Sequence, residues 1–180
     1  RGALTIDVGS GSVQVDDFQG ELNVDTGSGS IRSSGIRGPS VRLDTGSGGV
    51  TGDGIVTDDL YVDTGSGSVE LSGVDAKRGR VDTGSGSVEI GLLTSAPDLN
   101  IDTGSGSVRV TVPQTLSARL HVETGSGGIR SELPLTVDER DRGVLRGTIG
   151  AGAGRLSVST GSGGVAVLAA APPAKTRSSR

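Results

Sequence analysis

The string Thr-Gly-Ser-Gly occurs seven times in this chain, starting at Thr26, Thr45, Thr64, Thr83, Thr103, Thr124 and Thr160. An eighth copy, Val8-Gly9-Ser10-Gly11, differs by one residue. Successive first glycines are 18, 19, 19, 19, 20, 21 and 36 residues apart. A fixed period of this size marks a repeat architecture, in which one unit cannot bury its apolar face alone but stacked units can. The last interval is close to two periods and is read as hiding a degenerate coil.

Each unit has the same layout. In Leu60–Leu71, Leu60 and Val62 point one way and Tyr61 and Asp63 the other, the period of a half-buried strand. Gly-Ser-Gly reads as a turn, because glycine accepts positive φ at no steric cost. Val69 and Leu71 then resume the alternation. A unit is therefore strand, glycine turn, strand and a variable connection such as Ser72–Gly79. Stacking places Leu22, Leu43, Val62, Val81, Ile101 and Val122 in one inward column before the turn. Val13, Ile31, Val50, Val69, Val88, Val108, Ile129 and Val165 form another after it. The expected fold is all-β: a parallel β-solenoid of eight to nine rungs with a period near 19. An antiparallel meander or sandwich, with the turns closing hairpins, is the alternative.

Residues 1–171 are expected to form one domain. Within it, 133–154 is an irregular insertion, with Asp138–Gly143 as a charged hairpin or loop. Residues 155–168 are a final capping unit, and 172–180 are a disordered tail. Arg1 is not an initiator Met, so the chain reads as a piece of a longer protein. Phe18 breaks the pattern and is placed over the N-terminal end of the stack.

Composition narrows the function classes. Cysteine is absent, which removes disulfide scaffolds and Cys-based metal or redox sites. One Tyr, one Phe and no Trp leave almost nothing for stacking sugars or single-stranded nucleic acid. Identical thin rungs leave no room for large rings. A net charge of -4 argues against a nucleic-acid partner, which would want a basic stripe. No run reaches the roughly 20 apolar residues of a membrane span.

The LxVDTGSGSVxL units resemble the DUF4097 family of bacterial, adhesin-like β-strand repeat proteins. Residues 20–130 carry the resemblance, as does the ending Gly147–Gly150, a glycine-rich link and Leu156–Leu168. The resemblance implies a β-solenoid exported to or facing the bacterial cell envelope, with no established enzymatic activity and no defined functional residues.

Several strings look like chemistry. Asp-Thr-Gly-Ser, at Asp25, Asp44, Asp63, Asp82 and Asp102, is also the active-site string of aspartic proteases. Those enzymes need two aspartates sharing a proton across a cleft. Five copies at fixed spacing read instead as a structural unit, with each carboxylate bonding the turn N–H groups. Asp7, Asp25, Asp44, Asp63, Asp82, Asp102 and Glu123 would stack as a ladder of like charges. Calcium would relieve that repulsion, which makes Asp44, Asp63, Asp82 and Asp102 the candidate metal residues. The calcium β-roll pattern fails, however, because Val69 stands where its aspartate should be. Arg42 and Arg80 can neutralise part of the ladder instead. The threonines are expected to point inward or into the turn, not outward as an ice-binding array. His121 reads as a solvated residue in an outward column with Asn23, Arg42, Tyr61, Arg80 and Asn100.

No catalytic residue and no cofactor is expected. The function expected is a non-enzymatic structural or interaction module of the bacterial envelope or cell exterior. Its partner would be an unidentified protein or surface component, and its open edge could self-associate. A carbohydrate-active β-helix enzyme and a calcium-binding β-roll are the alternatives. Any specific site is expected where the pattern breaks, at 133–154.

Overall fold

The structure, a computed structural model, describes residues 2–171. The tail expected at 172–180 lies outside the described residues. The described chain is all strand and turn, with no helix. Six turns follow one another in chain order, each contributing one strand to either of two parallel ladders. They are β1 (Gly2–Ser10) with β2 (Val13–Asp16), and β3 (Gly20–Ser28) with β4 (Ile31–Ser34). Then come β5 (Arg37–Thr45) with β6 (Val50–Asp53), and β7 (Val56–Thr64) with the first part of β8 (Val69–Ser85). The rest of β8 with β9 (Val88–Leu92), and β10 (Asp98–Ser105) with β11 (Val108–Val112), complete the six. The first ladder runs β1, β3, β5, β7, β8, β10. The second runs β2, β4, β6, β8, β9, β11. The parallel solenoid with a period near 19 is present. The antiparallel arrangement is confined to its end.

The end departs from chain order. The seventh unit, β12 (Ala118–Ser126) with β13 (Ile129–Ser131), does not stack on the sixth. The last unit, β16 (Gly154–Ser162) with β17 (Val165–Ala169), fills the place between them. Leu156 pairs with Leu99 on one side and Leu120 on the other. Val165 likewise pairs with Val108 and Ile129. Beyond β12 lie the antiparallel strands β15 (Val144–Ile149) and β14 (Thr136–Asp141). Eight to nine successive rungs are thus corrected to about six regular turns, with two strand pairs laid down out of order. The capping role also moves: 155–168 is internal, and the 133–154 hairpin covers the end. Leu145 and Ile149 of the hairpin are buried, and Leu133 and Leu135 pack against the core. Its outer strand β14 is exposed throughout and carries Asp138, Glu139, Arg140 and Asp141. Charges on an edge strand discourage further pairing.

The core is a thin aliphatic stack of Val, Ile, Leu and Ala between the two ladders. Burying each such side chain contributes about 1.5–3 kcal/mol for the larger residues. The column after the turn is as expected, with Val165 moved between Val108 and Ile129. The column before the turn needs one correction. Val24, not Leu22, pairs with Leu43; Leu22 belongs to a second inward column with Val41 and Leu60. The connection is also shorter than expected, since Ser72–Gly79 lies within β8, with a register shift between Leu71 and Val74. Phe18 packs against the core, and its carbonyl accepts from Arg37 N as that of Ile36 does from Val56 N one turn on.

The glycine turns owe their composition to stacking more than to positive φ. A Cβ on Gly48 would lie 1.8 Å from the carbonyl oxygen of Gly29, and one on Gly67 1.9 Å from that of Gly48. From Gly29 onward each second glycine sits so close to the neighbouring turn that no side chain fits. The threonine explains the remaining letter. Thr45, Thr64 and Thr83 are buried. Their hydroxyls donate to the carbonyls of Gly29, Gly48 and Gly67 at 2.8, 2.8 and 3.0 Å. Thr45 and Thr64 also accept from Gly48 N and Gly67 N. The threonine, not the aspartate, therefore braces the turn. Thr160 donates to Gly106 and Thr124 to Gly163, the same clip in the rearranged order. Val8 holds this position in the first turn, where no preceding turn among the described residues offers an acceptor.

One inward position is unsatisfied. Ser33 is buried in a column with Val15 and Gly52, and its hydroxyl has no hydrogen-bond partner. An unpaired buried hydroxyl costs about 1–3 kcal/mol. Ser33→Ala should therefore raise stability by about 1 kcal/mol, read as a higher midpoint in urea unfolding. A lower midpoint would show that the hydroxyl has a partner.

Candidate functional site

The aspartate ladder exists on the outer face of the first ladder. Asp7, Asp25, Asp44, Asp63, Asp82 and Asp102 pair in unbroken register. Ser159 then interrupts it, separating Asp102 from Glu123. Like charges directly opposite one another destabilise a sheet, and partners on the same strand offset this. Arg42 donates to Asp44 at 2.8 Å, Tyr61 to Asp63 at 2.8 Å, and Arg80 to Asp82 at 2.7 Å. The Arg42 guanidinium also lies 4.1 Å from the Tyr61 ring centre, a cation–π contact. The hydrogen bond to Asp63 pushes the Tyr61 hydroxyl above its ordinary value. Among the described residues, no three His, Cys, Asp or Glu side chains group closely enough to hold a metal ion. The candidate residues Asp44, Asp63, Asp82 and Asp102 thus share a column without converging on a point.

A neighbouring outward column ends in a charged stretch. Asp59, Arg78, Asp98, Arg155, Arg119 and Thr148 pair in sequence. Arg78 grips Asp59 with two hydrogen bonds of 2.7 and 2.8 Å. That bond is the main cause that holds the Asp59 carboxyl below the ordinary carboxylate range, against an opposing effect of desolvation. A depressed folded value means stability that is present above the ordinary range and lost as pH falls through the depressed value. The melting-temperature difference between the wild type and Asp59→Asn should therefore be present at neutral pH and shrink to nothing under acid. A difference that persisted at low pH would contradict it.

The pattern breaks where the inserted strand β16 lies. A groove of about 460 Å³ opens over β10, β16, β12 and β15. Asn100 and Ser157 line it beside Arg155, Arg119, His121 and Arg146. His121 bonds Glu123 at 2.7 Å, and Arg146 bonds Glu139 at 2.9 Å. The bond from His121 is the main cause that lowers the Glu123 carboxyl below its usual range. His121 stands in the expected outward column, with Ser157 inserted between it and Asn100. The 133–154 segment contributes Asp138, Arg146, Gly147 and Thr148 to the groove. Arg119, Arg155 and Ser157 were not legible as neighbours. The sequence signal for them is the long interval and the glycine-rich Gly150–Gly154.

The family model for Toastrack DUF4097 matches residues 2–168. The chain belongs to the Toastrack DUF4097 family. The match spans both the six regular turns and the rearranged end of this Toastrack domain. No curated protein and no solved structure matches the chain.

Proposed function

We propose that this Toastrack domain is a non-enzymatic structural and interaction module, adhesin-like, of the bacterial cell envelope or surface. The observation that carries the reading is the in-register repetition of its outward columns. The aspartates from Asp7 to Asp102 present the same group once per turn, at a spacing of about 4.8 Å. Such a face suits recognition of an extended or repetitive partner, whether a protein or an envelope component. A catalytic centre needs unlike groups brought to one point. Among the described residues no helix is long and apolar enough to cross a membrane. The edges of β1 and β2, unpaired among the described residues, are templates for association with a second copy. Light scattering across a concentration series tests that association.

Expression of the full-length gene in its host, followed by fractionation and protease treatment of intact cells, tests the location. The reading expects the domain in the envelope fraction. Recovery in the cytosol alone would overturn the envelope assignment. Turnover of a glycoside or polysaccharide panel by the purified domain would overturn the non-enzymatic one.

A further inference from the structure

We propose that the groove over β10, β16, β12 and β15 is an oxyanion-binding site that takes a phosphate or carboxylate group between Arg155 and Arg119. This deepens the interaction-module reading by naming a ligand chemistry. It rests on the purified domain alone and stands whatever the location.

Arg155 and Arg119 are directly opposite each other on neighbouring parallel strands, about 4.8 Å apart at the backbone. Both guanidinium groups are donors only and stay charged. Like charges in that position repel, and an anion between them removes the repulsion while accepting bidentate bonds from both. Four other arginines of the same ladder are already committed: Arg42 to Asp44, Arg78 to Asp59, Arg80 to Asp82, and Arg146 to Glu139 and Glu123. Arg37 in β5 and Arg140 in β14 are not, but neither stands directly opposite another arginine. Arg155 and Arg119 form no ion pair among the described residues. Asp98 lies opposite Arg155 but is flanked on its other side by Arg78, so one carboxylate faces two guanidiniums. Asp138 is the other carboxylate lining the groove.

The floor fits the same ligand. Asn100 and Ser157 are small and polar, and they lie next to each other in register. The amide and the hydroxyl supply two further neutral donors. On the same strand Ser159 replaces the aspartate of the neighbouring ladder, so the inserted rung is the one from which the acidic column is missing. The chain as a whole carries a net charge of -4. Capture of an anion is therefore a local property and not a general attraction.

The test is a nitrogen-15 NMR titration of the purified domain with inorganic phosphate, and separately with glucuronate, each against sodium chloride at matched ionic strength. Saturable shifts centred on the amides of 98–100, 118–121 and 155–157 are expected. Shifts with phosphate alone support a phosphate ligand, and shifts with glucuronate alone a carboxylate one. The double variant Arg119→Ser/Arg155→Ser should bind at least about tenfold more weakly, the loss of one strong charge-assisted contact. Arg109→Ser, on the second ladder, should leave binding unchanged. Ser157→Asp, which puts a carboxylate on the floor, gives an independent variant and should abolish binding while the fold persists. No saturable shift, shifts scattered over the surface, or full affinity in the double variant or in Ser157→Asp would overturn the proposal.

Discussion

Gly48→Ala should destabilise the domain by at least about 3 kcal/mol, well above the usual cost of one methyl group. The added Cβ would fall 1.8 Å from the Gly29 carbonyl oxygen and 2.3 Å from its carbon. Both are backbone atoms, so no side chain can swing aside. The Gly29 oxygen is also the acceptor of the Thr45 hydroxyl at 2.8 Å. Relieving the clash means parting the second and third turns and stretching that bond. In a quasi-one-dimensional stack the damage falls on one interface. Hydrogen exchange should therefore rise first in β3 to β6. Gly9→Ala is the matched control, because nothing lies within 4 Å of a Cβ there. It should change stability by less than about 0.5 kcal/mol. Neither position has a positive φ, so equal effects at the two would show that the close approach is not what requires glycine at position 48.

Leu156→Ala should cost about 2–5 kcal/mol, the range for a buried leucine in a rigid core. Leu156 is fully buried although it lies in the last unit of the chain. Leu99 and Leu120 flank it in the column, so truncation leaves a cavity closed on both sides. Leu4, in the same inward column at the first turn, is only half-buried, and Leu4→Ala should cost clearly less. Urea unfolding of the two variants compares them. A last unit sitting at the end of the stack would make the two costs similar.

The regular part of the fold was legible because alternation and spacing act together. The period of two assigns each residue to a face, and the turn string sets the position along the rung. That combination placed the whole post-turn column and the inward threonines. It failed for Leu22, since β3 carries two apolar inward positions, Leu22 and Val24, and both satisfy the alternation. The role of threonine was missed for a different reason. Its hydroxyl acts on the turn below, a contact between units that local turn chemistry does not reveal.

The rearranged end lay beyond the sequence because the units are interchangeable. The inward residues of β10, β12 and β16 are alike, with Ile101, Val122 and Val158 in one column. Pattern alone therefore cannot order them. Topology decides, through the antiparallel hairpin on the outer edge of β12 and the return along Gly150–Gly154. The groove inherits that difficulty. Arg119 and Arg155 belong to different units and meet only because β16 stands beside β12.

Oxidative cross-linking of paired cysteines tests that order most directly, since the native chain has no cysteine. Asp102 is in register with Ser159, and Ser159 with Glu123. Neighbouring strands lie about 4.8 Å apart, within reach of a disulfide, whereas alternate strands lie about 9.6 Å apart and are out of reach. Asp102→Cys/Ser159→Cys should cross-link under mild oxidation, and Asp102→Cys/Glu123→Cys should not. The opposite result, a bond between positions 102 and 123 and none between 102 and 159, would mean that the turns stack in chain order and would contradict the inserted rung.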